Sequence, residues 1–131
     1  MLRRTSWAVF AAAAFAWAQD SESGRVRPPD ALPCSRDELT SFIGEVVDYS
    51  RTPNSVKLTI DTDWNTQESV ELRLNTGERL VDRFQLWGNR FSEEDFAKIE
   101  AESGTLKPGM RAIVWVCEAE GPALIDWRPK P

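Results

Sequence analysis

The chain has 131 residues, with 16 basic and 21 acidic side chains, a net charge of −5 and no histidine. That balance disfavours nucleic acid and anionic membrane surfaces as partners, because Lys and Arg supply most of the affinity for both. The lack of histidine excludes Ser-His-Asp catalysis, histidine-ligated zinc and the commonest general base near neutral pH.

Arg3 and Arg4 precede an uncharged, apolar run over residues 7–18, and Ala16-Trp17-Ala18 has the small-x-small form of a leader cleavage site. The run is shorter than the roughly 20 residues that a spanning helix needs. Residues 1–18 are therefore expected to be a signal peptide of bacterial type, directing the protein to the periplasm or beyond. Its removal takes arginines and no acid, so the mature chain is more acidic still. Residues 19–33 are polar and proline-rich, with little to bury, and read as a tether or a loosely draped arm. The expected layout is an arm over 19–40, pinned by Cys34, and one folded domain over 41–131. An even cysteine pair in an exported domain predicts a disulfide between Cys34 and Cys117.

The stretch FIGEVVDYS, residues 42–50, is rich in β-branched and aromatic residues, and Thr52-Pro53-Asn54 then signals a turn. Residues 55–64, SVKLTIDTDW, alternate apolar and polar, as do residues 69–74, SVELRL. A period of two with one apolar face predicts half-buried strands. Residues 80–87 give a weaker strand signal. Ser92 and Asp95 resemble a capping box, Phe91 and Phe96 form a staple pair, and Glu93, Glu94 and Asp95 suit a helix N-terminus. These signals predict a helix over 93–102, stopped by Gly104. Residues 110–118, MRAIVWVCE, are apolar on both faces, as in a strand covered on both sides. Residues 123–127 supply a last strand after the Glu120-Gly121-Pro122 turn.

This order of three strands, a helix and two strands resembles the OB-fold, a five-stranded Greek-key barrel with its helix between strands three and four. The resemblance runs over residues 40–128 and rests on Gly44-Glu45-Val46-Val47, the two alternating strands, the helix, and LKPGMRAIVWVC. It is to small exported bacterial OB domains. An SH3-like barrel and another small α+β arrangement are the alternatives.

The OB resemblance implies ligand binding on the outer face of strands two and three and in adjoining loops. With Val56, Leu58 and Ile60 inward, Lys57, Thr59, Asp61 and Asp63 point outward, as do Ser69, Glu71 and Arg73. The same parity places Trp64 on the inner side if its strand continues that far. Trp64 and Trp87, both near loops, are the tryptophans to expect at a ligand. Trp115 reads as core, and Trp127 as a cap on the barrel. The face is mainly acidic and lacks a basic, aromatic-lined groove, so it suits a basic peptide or protein better than single-stranded nucleic acid. The expectation is a non-catalytic binding module with a protein or peptide partner, and without a cofactor or metal.

Two alternatives come from other classes. Residues 61–72, DTDWNTQESVEL, open like a calcium loop, with Asp61, Asp63 and Asn65 two apart. An EF-hand needs Gly where Thr66 stands and Glu where Leu72 stands. Ile60-Asp61-Thr62 resembles a Val-Asp-Thr piece of secreted, calcium-dependent nucleases of the staphylococcal type, but the family's following Pro-Glu is missing. A calcium-dependent hydrolase would use Asp61, Asp63 and Glu68. A saccharide binder would use exposed Trp64 or Trp87 as a stacking platform.

Overall fold

The computed structural model describes residues 28–29 and 32–130. The expected signal peptide and most of the expected arm lie outside the described residues. The strands are β1 (Leu39–Thr52), β2 (Ser55–Thr62), β3 (Gln67–Arg73), β4 (Phe84–Leu86), β5 (Asn89–Arg90), β6 (Glu100–Glu102), β7 (Thr105–Leu106), β8 (Arg111–Cys117) and β9 (Gly121–Arg128). One short helix, α1 (Phe96–Ile99), and 3-10 turns at Arg36–Glu38, Leu80–Arg83 and Glu93–Asp95 complete the described chain. It is a mainly β protein.

Seven strands form one sheet in the order β3-β2-β1-β8-β9-β4-β5, and β6 pairs only with β7. All pairings are antiparallel except β4 on β9. The sheet curls but is not closed: β3 lies near β9 without sharing a ladder. No helix among the described residues is long and apolar enough to cross a membrane.

Alternation builds the core. Val56, Leu58, Ile60 and Leu72 are buried, and they meet Ala112 and Val114 of β8 and Ile125 and Trp127 of β9. Trp127 is fully buried rather than capping an end: Phe84 meets it edge-on at 5.5 Å and Tyr49 at 5.7 Å. Aromatic pairs in this arrangement add to the area they bury. β8 buries both faces, with Ile113, Trp115 and Cys117 opposite Ala112 and Val114.

Two irregularities shape β1. Its register on β2 shifts between Val46 and Asp48, a bulge that bends the strand. At Gly44 the strands come so close that a Cβ would run into the Asp61 carbonyl and sit 2.8 Å from Thr62 Cα. Only glycine fits such an approach.

The expected helix over 93–102 is shorter than its caps imply. Asp95 accepts the Ser92 N–H at 2.8 Å, and Phe91 packs on Phe96 at 5.1 Å, so the start forms as expected. The helix stops at Ile99 because Glu100 is drawn into the interior by partners on β1, and residues 100–106 turn back as the β6–β7 hairpin. The weak strand signal over 80–87 resolves into a 3-10 turn followed by β4. The expected disulfide is present, joining Cys34 to Cys117 with their Cα atoms 5.9 Å apart.

Candidate functional site

The register of β1, β2 and β3 sets polar side chains in rows across one outer face. Glu45, Asp61 and Gln67 form one row; Asp48, Thr59 and Ser69 the next; Ser50, Lys57 and Glu71 a third; Thr52, Ser55 and Arg73 the last. The bulge matters here. Strict alternation from inward Val46 would turn Asp48 inward; the extra residue, Val47, returns Asp48 to the outer face and is itself 48% exposed. The middle two rows border a recess of about 360 Å³, lined by Asp48, Ser50, Lys57, Thr59, Ser69 and Glu71 with the edges of Leu58 and Val70. Thr59 and Ser69 hydroxyls bond each other at 2.9 Å across its floor.

The expected site residues divide into four places. Lys57, Thr59 and Glu71 line the recess. Asp61 and Arg73 share its face but lie to either side: Asp61 accepts the Gln67 amide at 2.7 Å, and Arg73 pairs with Glu71 at 3.1 Å. Asp63 and Trp64 sit past the end of β2, and Trp87 lies in the β4–β5 turn, at the opposite end of the strand order from β3. Asp48 and Ser50 were missed, although the doublet Val46-Val47 followed by Asp48 is the break in alternation that a bulge leaves in a sequence.

Trp64 corrects the parity expectation: it is 67% exposed, not inward. β2 ends at Thr62, whose N–H donates to the Thr66 carbonyl at 2.8 Å and whose hydroxyl meets that of Thr66 at 2.7 Å. These bonds close the turn early, Asn65 takes the left-handed conformation at φ 65°, and Trp64 is carried to the tip. Alternation applies only while the chain stays in the ladder.

The carboxylates of the hydrolase alternative point apart. Asp61 faces outward beside Gln67, and Asp63 is held by Arg111 at 2.6 Å. Glu68 lies opposite Ile60, so it belongs to the other face of the sheet. Among the described residues the only cluster with metal-ligand spacing is Cys34, Cys117 and Glu120, and the disulfide has already consumed both thiols.

Trp87 is 47% exposed and has φ 50°, in the left-handed region that a bulky side chain rarely adopts. Its surroundings hold it there. Its N–H bonds the Trp127 carbonyl at 2.9 Å, its indole N–H bonds the Pro129 carbonyl at 3.1 Å, and the Arg128 guanidinium lies over the ring at 4.9 Å. Buried Asp126 anchors both Arg128, at 2.7 Å, and the Gly88 N–H, at 2.9 Å.

A buried polar cluster that no local pattern announces joins β1 to β6. The Glu100 carboxylate accepts from Tyr49 Oη at 2.6 Å, Arg51 Nε at 2.6 Å, Arg51 Nη2 at 2.9 Å and the Gly104 N–H at 3.1 Å. Burial pushes Glu100 up, but the bonds from Arg51, Tyr49 and Gly104 outweigh it and hold the carboxyl below its usual range. Burial, then the neighbouring carboxylate, raises the Tyr49 hydroxyl well above its ordinary value. With its lone pairs occupied, Glu100 acts as a clamp rather than as an acid or base.

No family model matches the chain, and neither a curated protein nor a solved structure matches it significantly.

Proposed function

We propose that this is an exported, non-catalytic binding module of the bacterial envelope that takes a protein or peptide on the outer face of β1, β2 and β3. The observation that carries the reading is the recess between Asp48, Ser50, Lys57, Thr59, Ser69 and Glu71. It is polar, shallow and mainly acidic, which suits a basic protein surface through charge complementarity. A catalytic reading finds less support, because the titratable groups with shifted values sit in closed bonding networks. Export is supported by the leader pattern of residues 1–18 and by the disulfide.

The barrel reading is of an OB-like domain open at one seam. Its support is the pairing of β1 with both β2 and β8, the β8–β9 hairpin, the helix between β3 and β8, and the approach of β3 to β9. A second reading, a saccharide binder, draws support from the exposure of Trp64 and Trp87. Aromatic faces of this kind serve as stacking platforms.

Affinity capture from envelope extract tests the proposal, comparing the protein with a variant carrying Asp48→Lys and Glu71→Lys. A protein partner retained by the first and lost by the second is expected. Identical captures from both, or retention of a polysaccharide that Trp87→Ala abolishes, would move the site off this face.

A further inference from the structure

β1 carries a second recess on its other flank, away from β2. β8 pairs with β1 only as far as Glu45, and beyond that point residues 104–109 stand against the strand. Between them lies a recess of about 460 Å³. Its β1 wall includes Glu45, Val47 and Asp48, and its far wall Leu106, Lys107 and Pro108. Asp48 also borders the recess over Thr59 and Ser69, so the two meet at that residue.

The far wall is fixed. The Lys107 N–H bonds the Ile99 carbonyl at 2.9 Å, the Gly104 N–H bonds the Glu100 carboxylate at 3.1 Å, and the Val46 N–H bonds the Met110 carbonyl at 2.9 Å. Glu100 is itself held by Tyr49 and Arg51 of β1, so the wall cannot leave the strand without breaking the buried cluster. A recess formed before binding spares the ordering cost that a mobile loop would carry. The two recesses differ in chemistry. The one over Thr59 and Ser69 is lined mainly by polar side chains. The second exposes apolar surface: Val47 is 48% exposed, and Pro108 is exposed with Leu106 half-buried beside it. Asp48 stands between them, and neither it nor Glu45 has an ion-pair partner among the described residues. Lys107 places one positive charge on the far wall, which leaves the acid of Glu45 and Asp48 in excess.

We infer that the binding surface continues from the outer face across the β1 bulge into this second recess, and that it takes a segment of the partner in which a Lys or Arg and a bulky apolar residue stand two positions apart. An extended segment turns such residues to one side, about 7 Å from each other. The basic group meets Asp48, and the apolar one covers Val47 and Pro108. One bulge serves both contacts, since it aims Asp48 outward and exposes Val47. This inference rests on the reading of the protein as a protein- or peptide-binding module.

The test uses the ¹⁵N-labelled full chain and three capped pentapeptides at millimolar concentration: Ser-Lys-Ser-Leu-Ser, Ser-Lys-Ser-Ser-Ser and Ser-Glu-Ser-Leu-Ser. The first is expected to shift the amides of Val47, Leu106 and Lys107 together with those of Asp48, Thr59 and Ser69, and to bind about tenfold more tightly than either of the others. Val47→Ser is expected to bring the first peptide down to the affinity of the second. Val47 is half exposed, so the melting profile should hold, and Pro108→Ser gives the same readout from the far wall. Asp48→Asn is expected to erase the preference for Lys over Glu. Equal binding of the first two peptides, with shifts confined to the outer face, overturns the second recess and leaves the binding-module reading standing. Equal binding of the Lys-Leu and Glu-Leu peptides overturns the role given to Asp48, and with it the inference. No shift from any of the three also overturns it, while a protein partner retained in the envelope capture would keep the module reading.

Discussion

Glu100 sets an acid limit on the fold. Its carboxyl titrates lower in the folded protein than in the unfolded chain. Its stabilising contribution is therefore complete above the unfolded value, about 4.3, and fades as pH falls through the lower folded value. Glu100→Gln leaves Arg51 without its counter-charge. Since Arg51 is 25% exposed, the loss at pH 7 is expected to be about 2 to 4 kcal/mol, toward the lower part of the range for broken buried pairs. Urea unfolding at pH 7 and in the acid range checks this: the gap between the two proteins should narrow on acidification, and a constant gap would contradict it. The tryptophans give a second test at this scale. Iodide should quench Trp64 and Trp87 and spare Trp115 and Trp127, which are 5% and 0% exposed. The sequence allowed the loop position of Trp64 to be seen but misjudged its side, because the Thr62 and Thr66 bonds that end β2 depend on a turn that alternation does not encode.

At the scale of elements, the β2–β3 hairpin was legible because it is half-buried, and burial on one face writes a period of two into the sequence. β8 was legible for the opposite reason, being apolar on both faces. The end of α1 was not, since its cause is a contact between Glu100 and residues 49 and 51 places away in the chain. The parallel pairing of β4 on β9 was hidden likewise: only three residues take part, and the bonds that fix the adjoining turn come from Trp127 and Asp126. Within the candidate site, Lys57, Thr59 and Glu71 could be assigned from alternation, whereas Asp48 and Ser50 required the bulge. Gly44 is the element-scale test of the β1–β2 approach. Gly44→Ala is expected to cost about 2 kcal/mol or more, because the obstructing atoms are backbone and the strands must separate. Denaturant midpoints would show it, and a neutral result would mean that β1 and β2 are not so closely joined there.

For the whole molecule, the disulfide closes a loop of 83 residues and ties the start of the described domain to the end of β8, where the Glu118 N–H also bonds the Glu38 carbonyl at 2.8 Å. Replacing both cysteines by serine is expected to lower stability by about 4 kcal/mol through loop entropy. The remaining strands should keep their order, and far-UV circular dichroism at low temperature should change little. The same architecture leaves a seam between β3 and β9 and presents an acidic, shallow face on one side of it. Amide shift mapping of the ¹⁵N-labelled protein with its captured partner tests that arrangement most directly. The account predicts the largest shifts at Asp48, Ser50, Lys57, Thr59, Ser69 and Glu71. Shifts centred instead on Trp64, on Trp87 or on residues 100–109, with this face silent, would contradict it.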